Sequence, residues 1–465
     1  MIFKMNKDYQ INFNTIQRLI GEHRAEMSRL DMLYKLYKSG SKITDRQMEE
    51  GKPNNKITNF YPKYIVDTAN GYFLGKPVKI KSANEVLLDH ISTINKYNDE
   101  ASHNMSIAKK SGIFGRAYEV LYMDEDSQIR FKALDPREVI YVVDNSLDER
   151  PLFAIRYYEN KFLEDVDFVI EIYDKEKMST YHYCEEKKKF DLCDDEVIHP
   201  FKDVPVNMLV NDEDEMGLFE PVISQCYAYD LTQSDTANDF EYFTNCLLLL
   251  YGDIDSEVDE ETGKPIYDFM NKRIIHFLGS KEDQLGAEWL TKQINDTALE
   301  NYKNRLQRDI HKFSNVPDMS DVNFGNTSGE SLKWKILCLE TLTGNRQNYF
   351  TKLLTRRNEL ICNAIQVKNN IELMLDIEYV YTRNTPQNFT ELVNNVRSLD
   401  GTLSRKSRIE MIPNVDVEEE IKRIEEEEAN NPLSYAIDFQ KLGEDDEDNE
   451  ELNEDINEDT NKGDE

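Results

Sequence analysis

The chain has 465 residues, 56 Lys and Arg against 90 Asp and Glu, and a formal net charge of −34. That length allows two or three domains, and 39% hydrophobic residues allow a sizeable core. Such acidity excludes ordinary tight binding to phosphate backbones, which needs clustered Lys and Arg, but not a protein that surrounds DNA and lets it slide.

Mean hydropathy of −0.68 means that much of the chain is solvated or mated to partners. No run of 18 apolar residues is present, so no membrane span is expected. Met1-Ile-Phe-Lys-Met-Asn-Lys7 lacks a long apolar stretch and a small-residue cleavage site, so no signal peptide is expected. Six cysteines, at 184, 193, 226, 246, 338 and 362, form no CxxC pair. Reduced thiols are expected rather than disulfides, and no zinc site. His182 lies two residues before Cys184, in a run that reads as strand.

In chain order, residues 1–50 read as helical, with Ile16, Ile20, Met27, Leu30, Leu33 and Leu36 as a stripe and a break near Ser39-Gly40-Ser41. A turn comes next from Gly51, then a helix from about Pro62 to Gly75, a short strand at 78–80, and a helical stretch over 84–112. From Ala117 to Tyr183 the period becomes that of strands: 118–124, 128–134, 139–144, 152–158, 168–173 and 179–183, separated by turn residues such as Asp135-Pro136. An antiparallel β region with helices before and after it is an α+β arrangement. Met216 to Tyr251 reads as a long helix starting near Glu220-Pro221. Ile223, Tyr227, Leu231, Phe240, Phe243, Leu247 and Leu250 mark an apolar side, and Asp230, Asp235 and Asp239 an acidic one. Residues 253–292 read as a small module with a strand at 273–278.

The rest of the chain is organised around Thr297–Ala364, which reads as helix, loop, helix. The first helix, 297–313, carries Leu299, Tyr302, Leu306, Ile310 and Phe313 as an apolar stripe. Arg305, Arg308 and Lys312 share another side. Those three are either solvent-facing charges or, if many copies of the helix line a channel, a positive ring that touches passing phosphates without gripping them. Ser314–Glu330 is rich in Ser, Asn, Asp and Gly, with Phe324 alone among small polar residues. Loops of that length inside a compact domain are usually functional or disordered. A second helix runs from about Ser331 to Ala364, with Gly344 a candidate kink. Beyond it, 371–382 is strand-like, 389–399 and part of 401–413 are helical, and 417–429 is a charged helix. Beyond Asn430 the chain becomes, from Gly443 to Glu465, almost all acidic, and 431–465 is expected to be disordered.

Motifs that would carry chemistry are missing. Gly71-Tyr-Phe-Leu-Gly-Lys-Pro77 fails as a phosphate loop, because its glycines are one residue too close and Pro77 stands where Ser or Thr must meet magnesium. No Gly-x-Ser-x-Gly or His-Glu-x-x-His occurs. No catalytic, cofactor or metal residue is therefore assigned. Asp212-Glu-Asp-Glu215 reads as a solvated face.

The order of elements resembles that of tailed-bacteriophage portal proteins, in particular those of long-tailed phages of Gram-positive hosts. The similarity rests on Asn55-Lys-Ile-Thr-Asn-Phe-Tyr-Pro-Lys-Tyr-Ile-Val-Asp67 with Gly71–Pro77, Gly112-Ile-Phe-Gly-Arg-Ala-Tyr-Glu119, Leu134-Asp-Pro-Arg-Glu138 and Ala154-Ile-Arg-Tyr-Tyr158. It continues through Ser234-Asp-Thr-Ala-Asn-Asp-Phe240, Asn315-Val-Pro-Asp318 with Asn326-Thr-Ser-Gly329, and Ser404–Pro413. Each motif is weak alone; their order spans most of the chain.

The resemblance implies a homo-oligomeric ring of about twelve subunits at one capsid vertex, without cofactor or enzymatic activity, through which double-stranded DNA passes non-specifically in packaging and ejection. It implies the terminase large subunit, head-completion or connector proteins, and major capsid and scaffolding proteins as partners, no membrane, and assembly in the host cytoplasm. In family terms, 1–218 and the returning strand within 365–388 resemble the α/β wing, 219–251 and 293–313 the two-helix stem, and 252–292 the clip. Residues 314–331 resemble the tunnel loop, 332–364 the long kinked helix, and 389–430 the crown. The acidic tail, 431–465, matches no motif. Channel-contacting positions are then Asn323, Phe324, Asn326, Thr327 and Ser328 in the loop, with Arg305, Arg308 and Lys312 on the stem. Two rivals belong to other classes: a DNA-processing enzyme with an unrecognised metal or nucleotide site, and an acidic helical adaptor with no DNA role.

Overall fold

The computed structural model describes residues 2–50, 52–159, 166–193, 196–244, 247–251, 274–277, 286–290, 296–319, 333–369, 376–384, 389–412, 415 and 417–430. They fall in two units, Met1–Asn384 and Thr385–Glu465.

The first helix begins where Asn12 takes the Thr15 amide on its side-chain oxygen at 3.1 Å, a local cap that satisfies one orphan donor. It runs as α1 (Phe13–Ser39) and ends at Gly40, whose φ of 81° needs a residue without Cβ. So residues 1–50 are not helical throughout. Before α1 lies β1 (Phe3–Met5), parallel to β5 (Val139–Asp144). The helix joins two cores. Ile16, Leu19 and Ile20 pack on the large sheet, while Leu30, Leu33 and Leu36 pack with α2 (Tyr61–Leu74).

The predicted stretch 84–112 is two helices, α3 (Glu85–Tyr97) and α4 (Glu100–Phe114). The break has a local cause: Asn98 turns its side-chain amide onto the Ile94 carbonyl at 2.8 Å and the Ile129 carbonyl at 2.9 Å, and Asp99 takes a φ of 48°. The strand reading of 117–183 matches β3 (Arg116–Met123), β4 (Ile129–Leu134), β5, β6 (Pro151–Tyr158), β7 (Phe168–Tyr173) and β8 (Lys177–Cys184). Three further strands lie beyond the expected runs: β9 (Lys189–Leu192), β10 (Val197–Ile198) and β11 (Val206–Val210). The seven-stranded sheet has the order β1-β5-β6-β7-β8-β10 with β9 also on β8, and a three-stranded sheet has the order β11-β3-β4. The mixture of helices and strands is α+β, as the period change indicates.

Helix α5 (Ile223–Thr244) is shorter than expected, because Leu247–Tyr251 is strand β12. A run of four leucines and a tyrosine fits either element by periodicity, and sheet pairing decides it. β12 lies between β13 (Ile274–Phe277, parallel) and β14 (Gly286–Leu290, antiparallel). Helix α6 (Asp296–Ser314) agrees with the predicted 297–313. Lys333–Lys335 is one helical turn and Ile336 interrupts it; α7 (Leu337–Asn369) then runs unbroken through Gly344. The break thus falls eight residues before the glycine expected to cause it. β15 (Glu378–Val380) pairs with β2 (Lys79–Lys81).

A buried ionic node ties α7 to the three-stranded sheet. Arg357 donates to both Glu119 oxygens at 2.6–3.1 Å and to the Asn104 side chain at 2.9 Å. His103 donates from Nε2 to the same carboxylate at 2.8 Å, and Asn207 adds a bond at 2.9 Å. Burial works to raise the Glu119 carboxyl, yet the Arg357 charge and His103 hold it down at about 2. A buried charge of this kind is tolerated because its acceptor sites are filled.

The second unit holds α8 (Phe389–Ser398), α9 (Arg405–Glu410) and α10 (Val417–Asn430), close to the expected helices. Within it, Ser404 caps α9 and Arg408 pairs with Asp400 at 2.5 Å. The acidic tail lies outside the described residues.

Candidate functional site

The channel reading concerns α5, α6 and the loop that leaves α6. On α6 the apolar stripe is only partly used. Leu306 and Ile310 are buried, with Ser314 on the same side, whereas Tyr302 and Phe313 are exposed. At 100° per residue Tyr302 and Phe313 lie 20° apart and form one edge of the stripe. Arg305, Arg308 and Lys312 lie on the solvent-facing side beyond that edge, with Arg305 and Arg308 exposed and Lys312 donating its charge over the Phe313 ring at 5.7 Å. The structure therefore brings these three together on one side of α6.

Helix α5 inverts the expectation. Phe240 and Tyr227, assigned to its apolar side, are 60% and 39% exposed. The buried line is Cys226, Asp230, Ser234 and Asn238, four residues apart and mostly polar. Its partner is the segment 55–59. Asn238 accepts from the Asn55 amide at 2.7 Å. Ser234 accepts from the Ile57 amide at 3.0 Å, and Asp230 from the Asn59 amide at 2.9 Å. The Asn55 and Asn59 side-chain amides repeat the same bonds at 3.0 and 2.7 Å.

The two periods match in length. Four helical residues rise ~6.0 Å and two extended residues ~6.6 Å, so alternate amides of an antiparallel strap meet every fourth side chain of the helix. Two motifs read separately in the sequence, Asn55–Asp67 and Ser234–Phe240, are thus halves of one contact. Arg46 adds an ion pair to Asp235 at 2.6 Å.

The root of the loop after α6 is pinned to the same place. Asn315 takes a φ of 57°, which folds Val316 back into the core, where it is fully buried. His311 donates from Nδ1 to the Val316 carbonyl at 2.9 Å. The Tyr64 hydroxyl donates to the Pro317 carbonyl at 3.0 Å and accepts from the Met319 amide at 2.8 Å. Gln307 donates to Asp318 at 2.8 Å. His311 packs edge-on against Tyr61 and Tyr64, with centroids 5.9 and 5.7 Å away. Asn323, Phe324, Asn326, Thr327 and Ser328 lie outside the described residues. The described part of their loop is its anchored start.

The body behind this pair is held by close backbone approach. Gly115, with φ of 85°, lies against the Glu215 carbonyl, which an added Cβ would meet at 1.8 Å. Next to it Arg116 is buried between Glu26 and Glu215, with bonds of 2.5–2.8 Å. Burial opposes ionisation of Glu26, but hydrogen bonding and charge from Arg116 pull it to about 2. This explains the Gly-Arg of the 112–119 motif and the Asp212–Glu215 cluster, of which Glu215 is a structural partner rather than a solvated charge. Among the described residues no group of three or more His, Cys, Asp or Glu is arranged to hold a metal. His182 and Cys193 approach to 3.1 Å on neighbouring segments of the sheet. No described helix is long and apolar enough to cross a membrane.

Comparison with known sequences defines the class, a phage portal protein. The sequence profile of the family "Phage portal protein, SPP1 Gp6-like" matches residues 16–432, and the chain belongs to that family. It is 22% identical over 453 residues to the portal protein of Bacillus phage SPP1, covering 89% of this chain and 86% of that one. It is 23% identical over 412 residues to the portal protein of Clostridium phage phiCD119, covering 83% and 87%. A solved chain from the neck of an empty GTA particle aligns with a TM-score of 0.42 at 12% identity, covering 75% of this chain and 89% of that chain. The function is accordingly that of a portal: a ring-forming subunit of the phage head–tail connector, a virion component at the capsid, and a channel in head assembly.

Proposed function

We propose that α5 and α6 form the channel wall, the stem, and that Arg305, Arg308 and Lys312 face the bore. The observation that carries this is the split of α6: one side buried on its own chain, the opposite side cationic and solvent-facing, in a chain of net charge −34. A thin positive stripe smeared around an acidic body touches passing phosphates without gripping them, since tight binding needs densely clustered Lys and Arg. The loop from 314 to 331, with Asn323, Phe324, Asn326, Thr327 and Ser328, narrows the bore from the anchored root at Val316–Met319. The sheet β12–β14 and its connections form the clip, where the terminase large subunit docks in packaging and head-completion proteins dock later. Residues 1–218 with β15 form the wing, 332–364 the long helix behind the loop, and 389–430 the crown.

In this reading the ring has about twelve copies, assembles in the host cytoplasm with capsid and scaffolding proteins, and is not an enzyme. Native mass measurement together with cryo-electron microscopy of the purified protein tests it. The expected result is a closed ring with α6 on the inner wall and no ATP hydrolysis or DNA cleavage. A monomer that hydrolyses ATP or cuts DNA would return the enzyme reading. Deleting Asn323–Gly329 is expected to leave the ring intact and to reduce packaged DNA.

A further inference from the structure

Among the described residues of the first unit three arginines are buried, and two have carboxylates. Arg116 has Glu26 and Glu215, and Arg357 has Glu119. Arg346, on α7, is 3% exposed and has no carboxylate within ion-pairing distance among the described residues. Its Nη2 donates to the Asn70 side-chain oxygen at 2.7 Å and to the Ala108 carbonyl at 3.1 Å. Its guanidinium carbon lies 5.6 Å from the centre of the Phe73 ring. These are neutral partners. The nearby Arg383, 5.9 Å from the same ring, pairs with Glu340 instead.

Two buried donors in this contact are left over: Nη1 of Arg346 and Nδ2 of Asn70, which is itself 2% exposed. They belong to two groups already hydrogen-bonded to each other through Nη2 and Oδ1. A lone buried cation is costly, and an unfilled buried donor adds to the cost. Burial alone pulls the Arg346 guanidinium down to about 10, as befits a charge without a counter-ion.

We propose that Asn70 Nδ2 and Arg346 Nη1 together bind one monatomic anion, chloride under ordinary conditions, as an internal counter-ion between α2 and α7. The position is consequential. Arg346 and Asn70 are where the long helix crosses α2, the helix whose Tyr61 and Tyr64 hold the loop root. The anion therefore fastens the element behind the loop to the one that anchors it.

Thermal unfolding of the assembled protein in sodium chloride against sodium gluconate, at equal ionic strength, tests this. Ligand that binds only the folded state raises the midpoint with concentration. The expected result is a midpoint several degrees higher in chloride, saturating, with bromide substituting for chloride and giving an anomalous peak between the two nitrogens. Asn70→Asp supplies a built-in carboxylate. It should be insensitive to halide and at least as stable in gluconate as the wild type in chloride. Arg346→Met should also lose the halide response. Equal midpoints for the wild type in both salts would overturn the proposal in favour of a bound water. An Asn70→Asp protein with an unchanged halide response would place the anion elsewhere and equally overturn it.

Discussion

Helices α5 and α6 pack against each other and lie side by side in the channel reading, yet they are held by opposite means. α6 buries Leu306 and Ile310, contacts that depend on area and shape. α5 buries Asp230, Ser234 and Asn238 and is held by directed bonds to alternate amides of a strap. The first kind tolerates sliding of similar side chains; the second fixes one axial position, because a shift of one residue breaks every bond at once. Of the pair, α5 carries the register and α6 supplies apolar area.

The largest break expected in that contrast is Ile310→Ala. A fully buried isoleucine on α6 leaves a cavity, and about 2–5 kcal/mol should be lost in denaturant midpoint measurements. Asp230→Ala on α5 removes no large apolar surface but strands the Asn59 amide and leaves the Asn59 side chain with only its Gln233 acceptor, at about 1–3 kcal/mol. Asp230→Asn keeps one acceptor and should cost less than Asp230→Ala.

That position also has a sign of its own in pH. Burial raises the Asp230 carboxyl above its ordinary 3.8. The protonated form is favoured in the fold, so this stabilising contribution is full below 3.8 and is lost as pH rises through the folded value. Glu119, held at about 2, acts oppositely: its contribution is present above its ordinary 4.5 and is lost as pH falls toward 2. His23 adds to acid sensitivity. Its Nε2 donates to the Pro136 carbonyl and its Nδ1 accepts from the Tyr157 hydroxyl, a neutral tautomer that burial holds down to about 4. Stability from this site is lost as pH falls from 6.5 through 4. Unfolding midpoints of Asp230→Asn and wild type, measured at several pH values, should converge as the wild-type carboxyl takes up its proton.

A smaller effect is expected for Tyr64→Phe, about 1 kcal/mol, since two hydrogen bonds to the loop root go with one hydroxyl. Faster amide exchange at Met319 should report it, with α6 unchanged. Smallest in stability is Arg305→Glu with Arg308→Glu, within about 0.5 kcal/mol of wild type because both are exposed. Packaged DNA per particle should nonetheless fall. Wild-type packaging by this double variant would return both arginines to ordinary solvent-facing charges.

The same contrast explains how much of the molecule is legible in its sequence. α6 is legible to within a residue or so at each end because apolar residues mark its inner side. The strands from 116 to 184 are legible because period two runs through them. α5 misleads because apolar residues ordinarily mark the inside, and here Phe240 and Tyr227 are exposed. The cue is the spacing Asp230, Ser234, Asn238 against Asn55, Ile57, Asn59, two ladders recognisable only when the segments are known to meet. β11 gives no signal because Val206-Asn-Met-Leu-Val210 is almost entirely buried and alternates little. The ionic node of Glu119 and Arg357 spans 238 positions and leaves no local trace.

The strap and its helix behave like the two scales of a vernier. One counts in twos and the other in fours, and the ~0.6 Å disagreement per rung accumulates, as does a turn of about 40° in the helix surface for every four residues. Three rungs stay aligned; a much longer ladder cannot. Lineages of this protein should therefore vary in length on either side of residues 55–59 but seldom within them. A single inserted residue would change the parity of the strap and point each amide away from its acceptor.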